Sequence, residues 1–114
     1  MRDIDDKLIE AAGQGNLKAV KAYIKLGADI HAGHGEALSF AANTREIVVV
    51  RWLLIQGADV NANNGEALRL ASSNGDMEII KLLLEYGAEV DQVMWNNATY
   101  NGHYRVAKFL KSFL

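Results

Sequence analysis

Between Met77 and Leu84 the apolar side chains Met77, Ile80, Leu83 and Leu84 return at a 3.6-residue spacing, with Glu78 and Lys81 between them. That pattern predicts a helix with one buried stripe. Asp76 stands just ahead of it, where a carboxylate accepts from the free N–H groups of a first helical turn. Gly87 stands just beyond it and predicts a stop, because glycine reaches left-handed backbone angles at no steric cost. A shorter apolar face, Leu68, Leu70 and Ala71, predicts a second helix over 66–73, broken by Asn74-Gly75. The local grammar is helix, tight turn, helix, loop.

The grammar repeats. Gly27-Ala28-Asp29-Ile30 returns as Gly57-Ala58-Asp59-Val60 and as Gly87-Ala88-Glu89-Val90, each 30 residues on. Gly35-Glu36-Ala37-Leu38 returns as Gly65-Glu66-Ala67-Leu68 at the same period. Asn74-Gly75-Asp76 is matched by Asn101-Gly102-His103 at an offset of 27. Four units of about 1–30, 31–60, 61–90 and 91–114 follow, in a single domain. A period of this size is the mark of a solenoid.

Aligned by their turns, the units form columns. Leu8, Leu38, Leu68 and Trp95 make one core column of the first helices. Leu17, Ile47, Met77 and Tyr104 make one of the second helices, with Val20, Val50, Ile80 and Ala107, and Tyr23, Leu53, Leu83 and Leu110, as others. Trp52 is read as core. Glu10, Phe40, Leu70 and Asn97 are polar at both ends and apolar between, and Ile24, Leu54, Leu84 and Lys111 turn polar at the last unit. Terminal repeats need a polar outer face, so units one and four read as caps and the chain as complete.

Composition narrows the class. Half of the residues are apolar and the net charge is −2. No basic excess points to nucleic acid. With no cysteine there is neither a disulfide nor a thiolate metal site. The acidic start lacks a signal-peptide core and no apolar run is long enough to span a membrane. The expectation is a cytoplasmic protein with no membrane partner.

The stretch from Asn74 to Asp91 resembles the second helix and following loop of an ankyrin repeat, and the likeness extends over essentially the whole chain. It implies an all-α ankyrin-repeat solenoid of four stacked helix-turn-helix units. Two departures stand out. Where the family opens its first helix with Thr-Pro-Leu-His, this chain has Glu36-Ala37-Leu38-Ser39 and Glu66-Ala67-Leu68-Arg69. Its unit is also shorter than the family's, by residues that would build the β-hairpin finger, so short loops should replace full fingers. In that respect the chain is similar to ankyrin arrays of giant viruses.

The resemblance also implies where a partner sits: on the concave face, the inter-helix turns and the finger tips. Carried over residue by residue, that surface is Ser39, Asn43, Thr44, Arg69, Ser73, Asn74, Tyr100 and Asn101, with Tyr86 at the end of a second helix. Gln56 and the finger residues His31, His34, Asn63 and Asn64 are secondary candidates. Arg69, Tyr86 and Tyr100 are the expected anchors, since Tyr and Arg combine large contact area with directional hydrogen bonds.

Unit two breaks the pattern twice. Arg45 occupies the turn position held elsewhere by Gly15, Gly75 and Gly102. Either that turn differs or the arginine is kept for a contact, so Arg45 joins the candidates. The outward stripe is Lys18, Lys21, Lys25 in unit one and Glu78, Lys81, Glu85 in unit three, but Val48, Arg51, Ile55 in unit two. That stripe is a candidate second patch, or a homodimer contact.

Chemistry finds no foothold. His31 and His34 are two potential ligands on a glycine loop with nothing to complete a metal site. The sequence carries no nucleophile-elbow or phosphate-loop motif. In-register Asp29, Asp59 and Glu89 read as loop caps. No cofactor is expected, and no enzyme. The leading expectation is a stand-alone inhibitor or regulator that binds another protein. One alternative is a viral or phage inhibitor of a host defence protein, acting in the host cytoplasm. The alternative of another class is a nucleic-acid mimic or binder, which the mixed charges disfavour.

Overall fold

A computed structural model of the chain describes residues 2–114; Met1, the first residue of the first expected unit, lies outside them. The described residues form eight helices and no strand: α1 (Asp3–Gly13), α2 (Leu17–Lys25), α3 (Ala32–Asn43), α4 (Ile47–Ile55), α5 (Ala62–Asn74), α6 (Met77–Glu85), α7 (Gln92–Tyr100) and α8 (Tyr104–Lys111). Each odd-numbered helix pairs with the even-numbered one after it. The odd, or first, helices stack closely on one another, and the even, or second, helices more loosely. The stack measures 42 × 21 × 20 Å.

Small side chains explain the close stacking of the first helices. Ala11, Ala41, Ala71 and Ala98 form one column and are at most 5% exposed. Leu8, Leu38 and Leu68 fill the space beside them, each burial worth about 1.5–3 kcal/mol. On the second helices the buried columns include Val20, Val50, Ile80, Ala107, then Leu53, Leu83, Leu110 with Tyr23 half-buried, and, missed in the sequence, Val49, Ile79, Val106. The column Leu17, Ile47, Met77, Tyr104 is only half-buried, and Tyr104 is exposed. These residues open their helices, where a side chain leans back over the preceding turn instead of into the stack. Trp52 is likewise half-buried, under the ammonium of Lys21 at 6.0 Å from its ring centre.

The caps follow from residue type. Asn16, Asp76 and Asp91 accept from the backbone N–H of Ala19, Ile79 and Met94 at 3.1, 3.2 and 3.0 Å. Asp29 and Asp59 accept from His31 and Asn61 N–H at 2.9 and 3.0 Å, closing their loops.

The fingers are reduced to a single left-handed turn. Gly33, His34 and Gly35 have φ of 63, 57 and 80°, and Asn63, Asn64 and Gly65 have φ of 54, 56 and 73°. An L-residue held there costs about 1–2 kcal/mol, least for asparagine. Arg69 compensates in the second of these turns: its Nε donates to Asn64 O at 3.3 Å and its Nη2 to Asn63 O at 2.9 Å. Ser39 holds the equivalent place in unit two and cannot reach so far.

Candidate interaction surface

The inter-helix turns form one edge of the stack, and unit two shows how neighbours are sewn together there. Arg45 does adopt the left-handed conformation, with φ 64°. Its Nη2 donates to Asn74 O at 3.1 Å. Asn74 Nδ2 donates in turn to Asn43 O and Asn43 Oδ1 at 3.0 and 3.1 Å. Three residues expected to meet a partner thus spend polar groups on each other.

Neighbouring caps explain why an arginine fits in this turn and not in those of Gly15 and Gly75. The carboxylate of Glu46 lies over Gly15, and the imidazole of His103 lies over Gly75, so a Cβ at either glycine would collide with it. Neither Glu46 nor His103 caps its own helix. Asp76, the equivalent residue above Arg45, turns inward to cap α6 instead. The side chain of Arg45 takes the direction that Asp76 leaves free.

The other expected residues separate by exposure. Asn43, Thr44, Tyr86, Tyr100 and Asn101 are exposed, while Arg69, Ser73 and Asn74 are half-buried. Ser39 is a correction: it is 5% exposed and its hydroxyl donates to Glu36 O at 3.3 Å, so it presents nothing to a partner. On α3 the outward face is set by Glu36, Phe40 and Asn43, at helical spacings of four and three; Ser39 points toward the stack. Phe40 entered the sequence reading only through the column Glu10, Phe40, Leu70 and Asn97; it is 39% exposed and its ring lies on the backbone of Gly13, where any Cβ would strike it. Val93, at the place of Glu66 in unit four, is 52% exposed, and Tyr100 is 92% exposed. Phe40, Leu70, Val93 and Tyr100 give the first-helix face a discontinuous apolar line amid Glu10, Glu36 and Asn97.

The finger edge is polar. Asn61 Nδ2 donates to Gly87 O at 3.1 Å and its Oδ1 accepts from Glu89 N–H at 2.9 Å, locking one loop onto the next. Arg2 and Asp5 do the same in unit one: Arg2 Nη2 donates to Gly27 O at 2.7 Å and Asp5 Oδ1 accepts from Asp29 N–H at 2.7 Å. The Asp29 N–H bond, followed by the Arg2 guanidinium, holds the Asp5 carboxyl below its ordinary value of 3.8. His31 stands 30 residues before Asn61, but no hydrogen bond joins it to Gly57 or Asp59 among the described residues.

Charge is sorted in space far more than along the chain. The four second helices carry eight of the twelve Lys and Arg and two of the fourteen Asp and Glu, a net +6. Everything else carries a net −8. Among the described residues no three His, Cys, Asp or Glu side chains gather as a metal site, and no helix is long and apolar enough to cross a membrane.

With this architecture in view, comparison with known families is decisive: the family of ankyrin repeats (3 copies) matches residues 8–94. The chain belongs to the ankyrin-repeat family. A search of curated proteins found no match. Ankyrin repeats are protein–protein interaction modules and are typically not enzymes. In this ankyrin protein a single turn of left-handed residues stands in place of the finger.

Proposed function

We propose that this ankyrin protein works as an inhibitor or regulator, covering part of a partner protein with its first-helix face and inter-helix turns. The observation that carries the reading is Tyr100. It is 92% exposed at the end of α7, with Asn101 beside it and Val93 on the same helix also open. An aromatic ring left almost wholly in water gains most by being covered. Phe40, Asn43 and Thr44 extend the surface to unit two, and Tyr86 borders it. Arg69 and Arg45 act there mainly by holding the finger and the turn in shape. The short repeat, similar to that of giant-virus arrays, supports a viral or phage origin with a host protein in the cytoplasm as target.

The test is site-specific photo-crosslinking in a lysate of the native host. Crosslinkers at Asn43 and Tyr100 should capture the same protein, and Phe40→Ser with Val93→Ser should weaken that capture at least tenfold. Capture only from control positions on the second helices, such as Lys25 and Lys111, overturns the assignment.

A further inference from the structure

On the opposite side of the stack, one column is cationic in every unit: Lys21, Arg51, Lys81 and Lys108. All eight second-helix cations are exposed. The ion pairs of the described residues are Arg2–Asp5 and Lys7–Asp3, so none of the eight is paired with a carboxylate. Glu78 and Glu85, about one turn either side of Lys81, are the two carboxylates among these helices, and the excess of cations that remains favours an anionic neighbour. Between α6 and α8 this face also opens into a groove of about 510 Å³, lined by Met77, Lys81, Arg105, Lys108, Phe109 and Ser112. Its floor is apolar and three cations stand around it.

We infer that this groove is a second docking site, and that its occupant is an acidic segment of another protein carrying an apolar side chain among its carboxylates. The carboxylates would meet Lys81, Arg105 and Lys108, and the apolar group would cover Met77 and Phe109. Val48 and Ile55, 60% and 59% exposed around Arg51, continue the same mixture of apolar and cationic groups into unit two. Three other occupants fit less well. A single nucleic-acid strand gains most from stacking its bases on open aromatic faces, and the ammonium of Lys81 already lies 5.6 Å over the Phe109 ring. An anionic bilayer rewards apolar groups that protrude, whereas within the groove the apolar groups form the floor and the exposed Val48 and Ile55 stand outside it in unit two. A second copy joined through this same face would set cation against cation.

The inference is independent of the first-helix face, and a defined probe tests it. A random copolymer of glutamate and tyrosine is titrated in parallel with polyglutamate, a thymidine 20-mer and vesicles of phosphatidylcholine with phosphatidylserine. The copolymer should bind at least tenfold more tightly than each of the others. Lys81→Gln with Arg105→Gln and Lys108→Gln should weaken it tenfold or more, with helicity unchanged. Lys18→Gln with Lys25→Gln, on the same face but outside the groove, should weaken it less than threefold. Should the triple variant lose helicity, Arg105→Gln alone decides, with a threefold loss expected. Equal affinity for polyglutamate, tighter binding of the oligonucleotide or vesicles, or variants that bind like wild type would each overturn the inference.

Discussion

The guanidinium of Arg45 donates to the backbone carbonyl of Asn74, 3.1 Å away, across the step from the second repeat to the third. The bond accompanies a left-handed backbone that costs an L-residue about 1–2 kcal/mol. Two variants separate the terms. Arg45→Ala keeps the strain and loses the bond, and should destabilise by about 1 kcal/mol. Arg45→Gly loses both and should unfold in urea close to wild type. An alanine variant as stable as the glycine variant would refute this account.

Position 31 offers a gain. Asn61 bridges Gly87 O and Glu89 N–H, and His31 occupies the equivalent place beneath Gly57 and Asp59 without doing so. His31→Asn should install the same pair of hydrogen bonds. The expected gain is about 1 kcal/mol, or roughly 4 °C in Tm. No rise in a thermal melt would mean that the unit-two loop differs from the unit-three loop.

Thr99 Oγ1 is buried without a hydrogen-bond partner among the described residues. A buried hydroxyl without a partner carries a desolvation cost of about 1–3 kcal/mol. Thr99→Val keeps the shape and removes the hydroxyl, and should stabilise by about 1 kcal/mol in chemical denaturation. Thr99→Ser, which keeps the hydroxyl, should show no gain.

Asp5 adds an acid-sensitive tie. Because its folded pKa lies below 3.8, its contribution is fully present above that value and is lost as the pH falls through the folded pKa. Asp5→Asn should therefore be less stable than wild type at neutral pH, and the gap should narrow below pH 3.8. Urea midpoints across pH 2–7 check it; a gap constant with pH would exclude the carboxylate as its source.

Much of this was legible in the residues. The Gly27, Gly57 and Gly87 words placed every loop, because a helix end that needs a left-handed residue leaves glycine as its trace. Side-chain direction was harder. Ser39 was carried over by family position, although its spacing from Glu36 and Asn43 turns it toward the stack. Val49 and Ile79 were overlooked in favour of Ile47 and Met77 because both pairs suit a helical stripe, and only packing shows which edge is covered. Arg45 was recognised as irregular, but its reason lies in Asp76 turning away, a choice between two capping modes that the residue type alone leaves open. Net charge concealed most, since a +6 surface and a −8 remainder sum to only −2.

That separation of sign gives the slab an electrical orientation as well as a shape. In the field of a charged partner it experiences a torque, like a compass needle, and turns the matching side forward before any contact forms. Ions in solution would blunt that turning, so salt acts first on how fast the protein arrives and only secondarily on how long it stays.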